Sequence, residues 1–345
     1  MRGVKGDAVR YRRFGKSDLE VSEVGFGVWT LASDWWGVVE DKQGLLHAAL
    51  DAGINFIDTA PVYGDGGIGE ELLADILRTN REAIVLTTKC GYDIDAARLY
   101  PGQSERPHDW LPASVRAQLE ASLRRLDTDY IDLYQLHNAR IEPILDDALW
   151  EELDKLRAEG KIRELGVALG PAIGWVDEGL EAIRHRPIVS LQSVFNVLEQ
   201  EPGRTFATEP NVSEGNIGLI ARVPHASDTL SGKVDRDTEF PEGDHRRHRN
   251  RENMLDNFDK ADTLTFLWDD TRRTIGQAAI AGILADPAFT TVLPTCVSVD
   301  EVREYAAASD MPLTPDEKAR LDTLWASNFG VTNRYEMPLK SSTAG

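Results

Sequence analysis

Short apolar runs and longer stretches of helical spacing alternate along most of this chain. The runs at 24–29, 54–57, 83–88, 132–136, 164–169, 188–195, 219–223 and 291–294 are rich in β-branched and aliphatic residues and read as strands. Between them, 41–52, 69–77, 114–126, 149–159, 175–184, 259–267, 274–284 and 300–308 carry apolar residues three and four apart and read as helices. Gly160 sits where the helix at 149–159 needs a left-handed cap. Strand and helix in alternation predict a parallel sheet, and about eight such units in this length predict an α/β fold of the (β/α)8 TIM-barrel type. A short N-terminal β-hairpin is expected over 11–21, turning at Gly15 to Asp18. An extra C-terminal helix is expected over 314–327, with Thr314 as its N-cap and Pro315 in its first position. The stretch 225–258 is charged, glycine-bearing and without period, so it reads as a long loop insertion that could act as a lid. No domain boundary is visible, and the chain 1–345 is taken as a single barrel domain.

The 345 residues allow one large barrel with a sizeable core. A net charge of −20 disfavours nucleic acid and anionic membranes as partners. No apolar run is long enough for a membrane helix, and the polar N-terminus lacks the apolar stretch of a signal peptide. Cys90 and Cys296 are the only cysteines, too few for a disulfide framework. A cytoplasmic setting is therefore expected. Acidic excess with scarce lysine fits a high-salt cytoplasm, and it fits equally an ordinary acidic protein rich in arginine. The oligomeric state, monomer or homo-oligomer, leaves no signature. No metal-ligand pattern is present; His245 and His248 lie among Arg246, Arg247, Arg249 and Arg251, whose charge opposes a cation. That basic run reads as a solvated loop, with contact to an anionic cofactor or substrate as the alternative.

Three consecutive predicted strands end in polar residues, Asp58, Lys89 and His137, and Tyr63 follows the first of them. In a parallel barrel all four converge at the carboxyl face, where chemistry sits. Singly, each has a plain structural reading: a capping acid, a packing tyrosine, a solvated lysine, a core histidine. Together they have a chemical logic. A phenol is a weak acid; a nearby ammonium favours its phenolate, and a carboxylate can hold that ammonium in place. A histidine can orient the same oxygen. Such a set suits protonation of the oxyanion formed when a carbonyl accepts a hydride.

The chain resembles the aldo-keto reductase superfamily. The resemblance rests on Val24-Gly25-Phe26-Gly27, on Gly53-Ile54-Asn55-Phe56-Ile57-Asp58-Thr59-Ala60 with Tyr63-Gly64, on Thr88-Lys89, on Asp129-Tyr130-Ile131-Asp132-Leu133-Tyr134-Gln135-Leu136-His137, and on Arg163-Glu164-Leu165-Gly166-Val167. Leu191-Gln192, Ile220-Ala221-Arg222-Val223-Pro224 and Leu230-Ser231-Gly232-Lys233 continue it in order. It implies an oxidoreductase that uses NAD(H) or NADP(H) to interconvert a small carbonyl and an alcohol. Tyr63 would be the proton donor, Lys89 and Asp58 its tuning pair, and His137 its orienting partner. A nucleotide-binding redox-sensing or regulatory subunit on the same barrel is the alternative.

The cofactor side departs from the family pattern. Where relatives carry the Ser-Asn pair that holds the nicotinamide carboxamide, this chain has Ala168 and Leu169, which have no polar side-chain atoms. Gln192 remains, and Arg222 stands where many relatives stack an aromatic ring. Pro224 opens the loop expected to embrace the pyrophosphate, and Asp228 in that loop would repel phosphate and so is expected to point away. Thr295 and Glu301 replace the Lys and Arg that neutralise a 2′-phosphate in NADP-preferring relatives, which leans the expectation slightly to NAD(H). Trp29, Trp35, Trp36 and Trp110 are expected to wall the substrate pocket, with Asn138 as a polar contact.

Overall fold

The computed structural model describes residues 9–34, 36–99, 105–170, 174–269 and 271–335. Two strands, β1 (Tyr11–Arg13) and β2 (Glu20–Ser22), pair antiparallel as the expected hairpin. Eight more form one parallel sheet in sequence order: β3 (Phe26–Gly27), β4 (Phe56–Asp58), β5 (Val85–Cys90), β6 (Ile131–His137), β7 (Ile162–Ala168), β8 (Ser190–Val194), β9 (Gly218–Arg222) and β10 (Phe289–Leu293). The sheet closes on itself just before β3. Gly25 donates its N–H to the Val292 carbonyl at 2.9 Å, and the Val292 N–H returns to the Glu23 carbonyl at 2.9 Å. The fold is the (β/α)8 barrel, with an N-terminal hairpin and a C-terminal helix over Pro315–Ala326. That helix opens on a capping box, in which the Thr314 side chain accepts from the Glu317 N–H and the Glu317 side chain returns to the Thr314 N–H.

The hairpin plugs the amino-terminal mouth of the barrel. Its Phe14, Leu19 and Val21 pack with Phe56, Val85, Leu133, Val189, Ile220 and Leu293, so apolar residues of the hairpin and of strand after strand meet in one cluster. The Phe14 and Phe56 rings lie 5.7 Å apart. Each fully buried aromatic contributes about 2 kcal/mol of apolar transfer. With that end sealed, the opposite, carboxyl end is left for a cavity.

Several parts of the fold escape the apolar pattern, among them a short helix at Trp29–Ala32, which cuts short the strand expected over 24–29, and another at Ile141–Leu145. Between β8 and β9 two short helices, Gly203–Ala207 and Pro210–Ser213, stand where no helix is expected. Both are too short to show a period, and Pro210 opens the second. The 225–258 stretch is not loop throughout. A helix begins inside it, at Arg251–Asp262, capped by the Asn250 side chain on the Asn253 N–H at 3.0 Å. Its buried face mixes Met254, Phe258 and Ala261 with Asp256, Asn257 and Lys260. Polar residues on the inward face erase the apolar stripe, so the pattern places a helix at 259–267 where only its last turn and a 3-10 turn, Thr265–Leu267, are found.

Asp132, near the start of β6, ties the barrel's lower rim. Its carboxylate accepts from the Leu86 N–H at 3.0 Å and pairs with Arg81 at 2.8 Å and Arg163 at 2.7 Å, and the residue is 1% exposed. Removing one partner of such a buried pair strands the others. Asp132→Ala is expected to lose about 3 kcal/mol of unfolding free energy in urea titrations.

Candidate active site

Asp58 is the last residue of β4, Lys89 the penultimate residue of β5, and His137 the last of β6. The parallel register sets Asp58 beside Thr87, two residues before Lys89, so both side chains turn to the barrel interior at its carboxyl end. Tyr63 follows on a tight loop. Its N–H bonds the Ala60 carbonyl at 3.1 Å, its own carbonyl accepts from Gly69, and Thr59 Oγ1 donates to the Gly69 carbonyl at 2.8 Å. Gly64 has φ +74°, and a Cβ there would lie 2.7 Å from the Ala32 carbonyl, so only glycine lets the loop close against the neighbouring helix.

The Lys89 ammonium is 1% exposed and donates three hydrogen bonds: to Asp58 Oδ2 at 2.8 Å, to the Thr59 carbonyl at 2.8 Å and to Tyr63 Oη at 3.1 Å. All three of its protons are spent. His137 stands edge-on to Tyr63, with ring centroids 5.9 Å apart and planes at 86°. Burial opposes the Lys89 charge, but Asp58 and Tyr63 together outweigh it and hold the ammonium above the ordinary lysine value. For Tyr63, burial pushes the phenol up and outweighs the downward pull of Lys89. The ammonium therefore limits the rise without producing a phenolate, and Tyr63 is protonated near neutral pH. Burial, with the charges of Lys89 and Arg222, holds His137 well below the ordinary histidine value, so its imidazole is neutral.

These residues open onto one cavity. It is lined by Asp58, Tyr63 and His137 at one end and runs past Gln192, Arg222 and Pro224 to Ser227, Asp228 and Thr295. Trp29, Trp36 and Asn138 line it too. Trp35 lies outside the described residues. Trp110 does not line the cavity. Its indole stacks on His108 at 5.1 Å and presses on Gly91, which has no side chain to block it. Glu301 is also absent from the lining. Its carboxylate accepts from the Val297 N–H at 2.7 Å and from Lys233 Nζ, which ties it to its own helix start. The Asn138 amide nitrogen donates to Tyr92 Oη at 2.8 Å, while its Oδ1 is buried without a hydrogen-bond partner.

Tyr92 and Val62 line the cavity without having been singled out for it, and His245 and Arg249, from the basic run read as a solvated loop with contact to an anionic ligand as the alternative, line it too. Tyr92 had a readable signal, since it follows the Lys89 strand end as Tyr63 follows that of Asp58. The others come from loops with no period.

On the cofactor side, Arg222 Nη2 donates to the Leu169 carbonyl at 2.7 Å and to the Gly170 carbonyl. It holds the backbone where the polar side chains of a Ser-Asn pair would be. Arg222 Nε is buried without a hydrogen-bond partner. Gln192 makes no side-chain hydrogen bond among the described residues. The Gln192 amide is thus unspent on the cavity wall, a group that fits a nicotinamide carboxamide. The loop after β9 is held in the left-handed region at Val223 (φ +58°), Ala226 (+48°), Ser227 (+57°) and Asp228 (+74°), unusual backbone concentrated along the cavity wall.

A barrel with this strand-end chemistry is matched along nearly its whole length by one family. The model described as Aldo/keto reductase family covers residues 23–326, and the chain belongs to that family, whose members are oxidoreductases that use nicotinamide cofactors. Among relatives, the chain is 32% identical over 313 residues to the uncharacterized oxidoreductase YqkF of Bacillus subtilis, covering 90% of this chain and 94% of that one. It is 28% identical to the NADH-specific methylglyoxal reductase of Escherichia coli, covering 87% and 93%. Among solved structures, the glycerol dehydrogenase AKR11B4 of Gluconobacter oxydans superposes with a TM-score of 0.78 at 28% identity, covering 95% of this chain and 98% of that one. Among the described residues, no helix is long and apolar enough to cross a membrane.

Among the described residues the Lys89 ammonium has Asp58 as its only ion-pair partner. Asp58→Ala is expected to cost about 3 kcal/mol near neutral pH, where the buried charge is left unpaired. In that variant the folded-state pKa of Lys89 falls below its unfolded value, so the unfolded state binds more protons. Stability relative to wild type should then recover as pH rises towards about 10. Urea titrations at three pH values measure this; a deficit that grows with pH contradicts it.

Proposed function

We propose that the protein is an NAD(P)(H)-dependent carbonyl reductase or alcohol dehydrogenase in which Tyr63 is the general acid and base. The observation that carries this reading is the Lys89 ammonium shared between Asp58, the Thr59 carbonyl and the Tyr63 hydroxyl, 2.8, 2.8 and 3.1 Å away, at the end of a cavity. When bound, the nicotinamide supplies or accepts the hydride. The protein's own residues handle the proton. Tyr63 Oη, kept protonated by burial, gives its proton to the carbonyl oxygen as negative charge develops there. Lys89 then stabilises the phenolate that remains, through the hydrogen bond it already makes. The neutral His137, a hydrogen-bond donor free of competing charge, orients the same carbonyl oxygen. In the oxidative direction each transfer reverses.

Gln192, whose amide is uncommitted, would hold the carboxamide, with Arg222 also on the cavity wall. Trp29, Trp36 and Tyr92 leave a small aromatic-walled space near Tyr63, suited to a short aldehyde, ketone or sugar-like carbonyl. The relatives named for methylglyoxal and glycerol agree with a small polar substrate. The preference for NAD(H) rests on Thr295, which brings no charge, and on the Glu301 carboxylate near the adenosine end, already satisfied by Lys233 and the Val297 N–H. A 2′-phosphate would have to compete with that carboxylate for Lys233.

A panel of short aldehydes, ketones and their alcohols, assayed with NADH and NADPH in turn, tests the reading. Turnover of at least one carbonyl is expected, with NADH bound at least as tightly as NADPH. No turnover on any member, with dinucleotide still bound, would favour a sensing or regulatory subunit. An NADPH affinity about tenfold better than that for NADH would overturn the cofactor preference.

A further inference from the structure

Two tyrosines flank one imidazole at the Tyr63 end of the cavity. Tyr63 meets the His137 ring edge-on at 5.9 Å, and Tyr92 meets it edge-on at 5.1 Å. The proton chemistry above uses Tyr63. It leaves Tyr92 idle, although Tyr92 lines the same cavity and is 5% exposed. The Tyr92 ring is fixed from behind. His108 stacks on it at 4.1 Å with planes 22° apart, and His108 Nε2 donates to the His137 carbonyl at 3.1 Å. The backbone agrees: the Asp93 N–H bonds the Pro107 carbonyl at 2.9 Å, and Tyr92 bridges antiparallel to His108. The phenol is therefore ordered before any ligand arrives.

Its hydrogen bonding is incomplete. Tyr92 Oη accepts from Asn138 Nδ2 at 2.8 Å, so the phenol keeps its own proton, and among the described residues that proton has no acceptor. Burial holds the phenol above the ordinary tyrosine value, which keeps the proton in place near neutral pH. The far side of the Asn138 amide is open as well. Its Oδ1 is buried without a partner, and the residue lines the cavity at 7% exposure. The pair thus leaves one donor and one acceptor unspent. Turning the amide over would exchange their places and keep the sum. A hydroxyl is the group that needs one of each. A carbonyl oxygen would satisfy only the donor, and a methyl group neither. Asn138 directly follows His137 at the end of β6, so the open pair sits beside the residue that orients the reacting carbonyl.

We propose that Tyr92 and Asn138 bind a hydroxyl on the carbon next to the reacting carbonyl. The substrates are then α-hydroxy aldehydes and ketones, and vicinal diols in the oxidative direction. The inference rests on the carbonyl-reductase reading above and adds a basis for choosing among small carbonyls.

Pairs of isosteres in which a hydroxyl replaces a methyl test it: hydroxyacetone against butanone, and lactaldehyde against isobutyraldehyde. With saturating reduced dinucleotide, kcat/KM is measured for each in wild type, Tyr92→Phe and Asn138→Gly. Glycine suits position 138, where φ is +55°. The readout is the ratio within a pair, so general damage to a variant divides out, as does the greater intrinsic reactivity of a hydroxy carbonyl. Wild type should favour the hydroxy member of each pair. Tyr92→Phe should shrink that preference roughly 10- to 100-fold, the loss of a buried hydrogen bond to a substrate hydroxyl. Asn138→Gly should shrink it in the same direction, and either variant decides the matter if the other fails to fold. A preference within about twofold of wild type in either folded variant overturns the proposal. So does a wild type that turns over the methyl isosteres as readily as their hydroxy partners, or that turns over neither hydroxy compound while reducing other carbonyls. Those results leave the reductase reading standing. A wild type that reduces no carbonyl at all overturns that reading, and this inference with it.

Discussion

An ammonium sealed inside a protein must be matched or it will lose its proton, and the upper end of this barrel is arranged around that requirement. Lys89 has three donors and three acceptors, one of them a carboxylate, one a backbone carbonyl and one a phenol. The match fixes the geometry of its partners in turn. Asp58 must end one strand beside the strand that carries Lys89, and Tyr63 must return on a loop tight enough to need glycine at position 64. The hairpin plug at the other end closes the barrel interior there. Dielectric and proton chemistry follow from the same packing: burial makes the phenol a weaker acid, and the ammonium, itself kept charged by Asp58 and Tyr63 against burial, limits that rise.

Much of this was legible because it is written locally. A parallel barrel strand is buried on both faces and reads as a continuous apolar run, so the polar residue that ends it stands out. Asp58, Lys89 and His137 are legible for that reason, and they meet as expected. What the pattern missed lacks a local period. The helix at Arg251–Asp262 hides behind buried Asp256, Asn257 and Lys260. Tryptophans were read by type alone. Type does not say whether an indole faces a cavity, as Trp36 does, or stacks on a histidine, as Trp110 does. Glu301 was legible as an acid near the adenosine end, but its commitment to Lys233 and to the Val297 N–H needs the folded loop.

The departures from the family pattern resolve into substitutions of means. Where side-chain amide and hydroxyl are lost at Ala168 and Leu169, Arg222 grips the backbone of Leu169 and Gly170. Where an acid enters the wall loop at Asp228, an arginine from the insertion covers it. The basic run at 245–251, which looks like solvated loop in the sequence, brings Arg249 to the cavity wall and Arg246 to the Asp228 carboxylate.

The central claim is that the phenol held by Lys89 is the proton donor, and Tyr63→Phe tests it most directly. The change removes one oxygen and leaves the ring, the ammonium and the cavity wall in place. Measured in single turnovers with bound NADH and a carbonyl that wild type reduces, hydride transfer should slow by at least about 10²-fold while the dinucleotide dissociation constant stays unchanged. A variant that still transfers hydride at a rate near that of wild type would contradict the account.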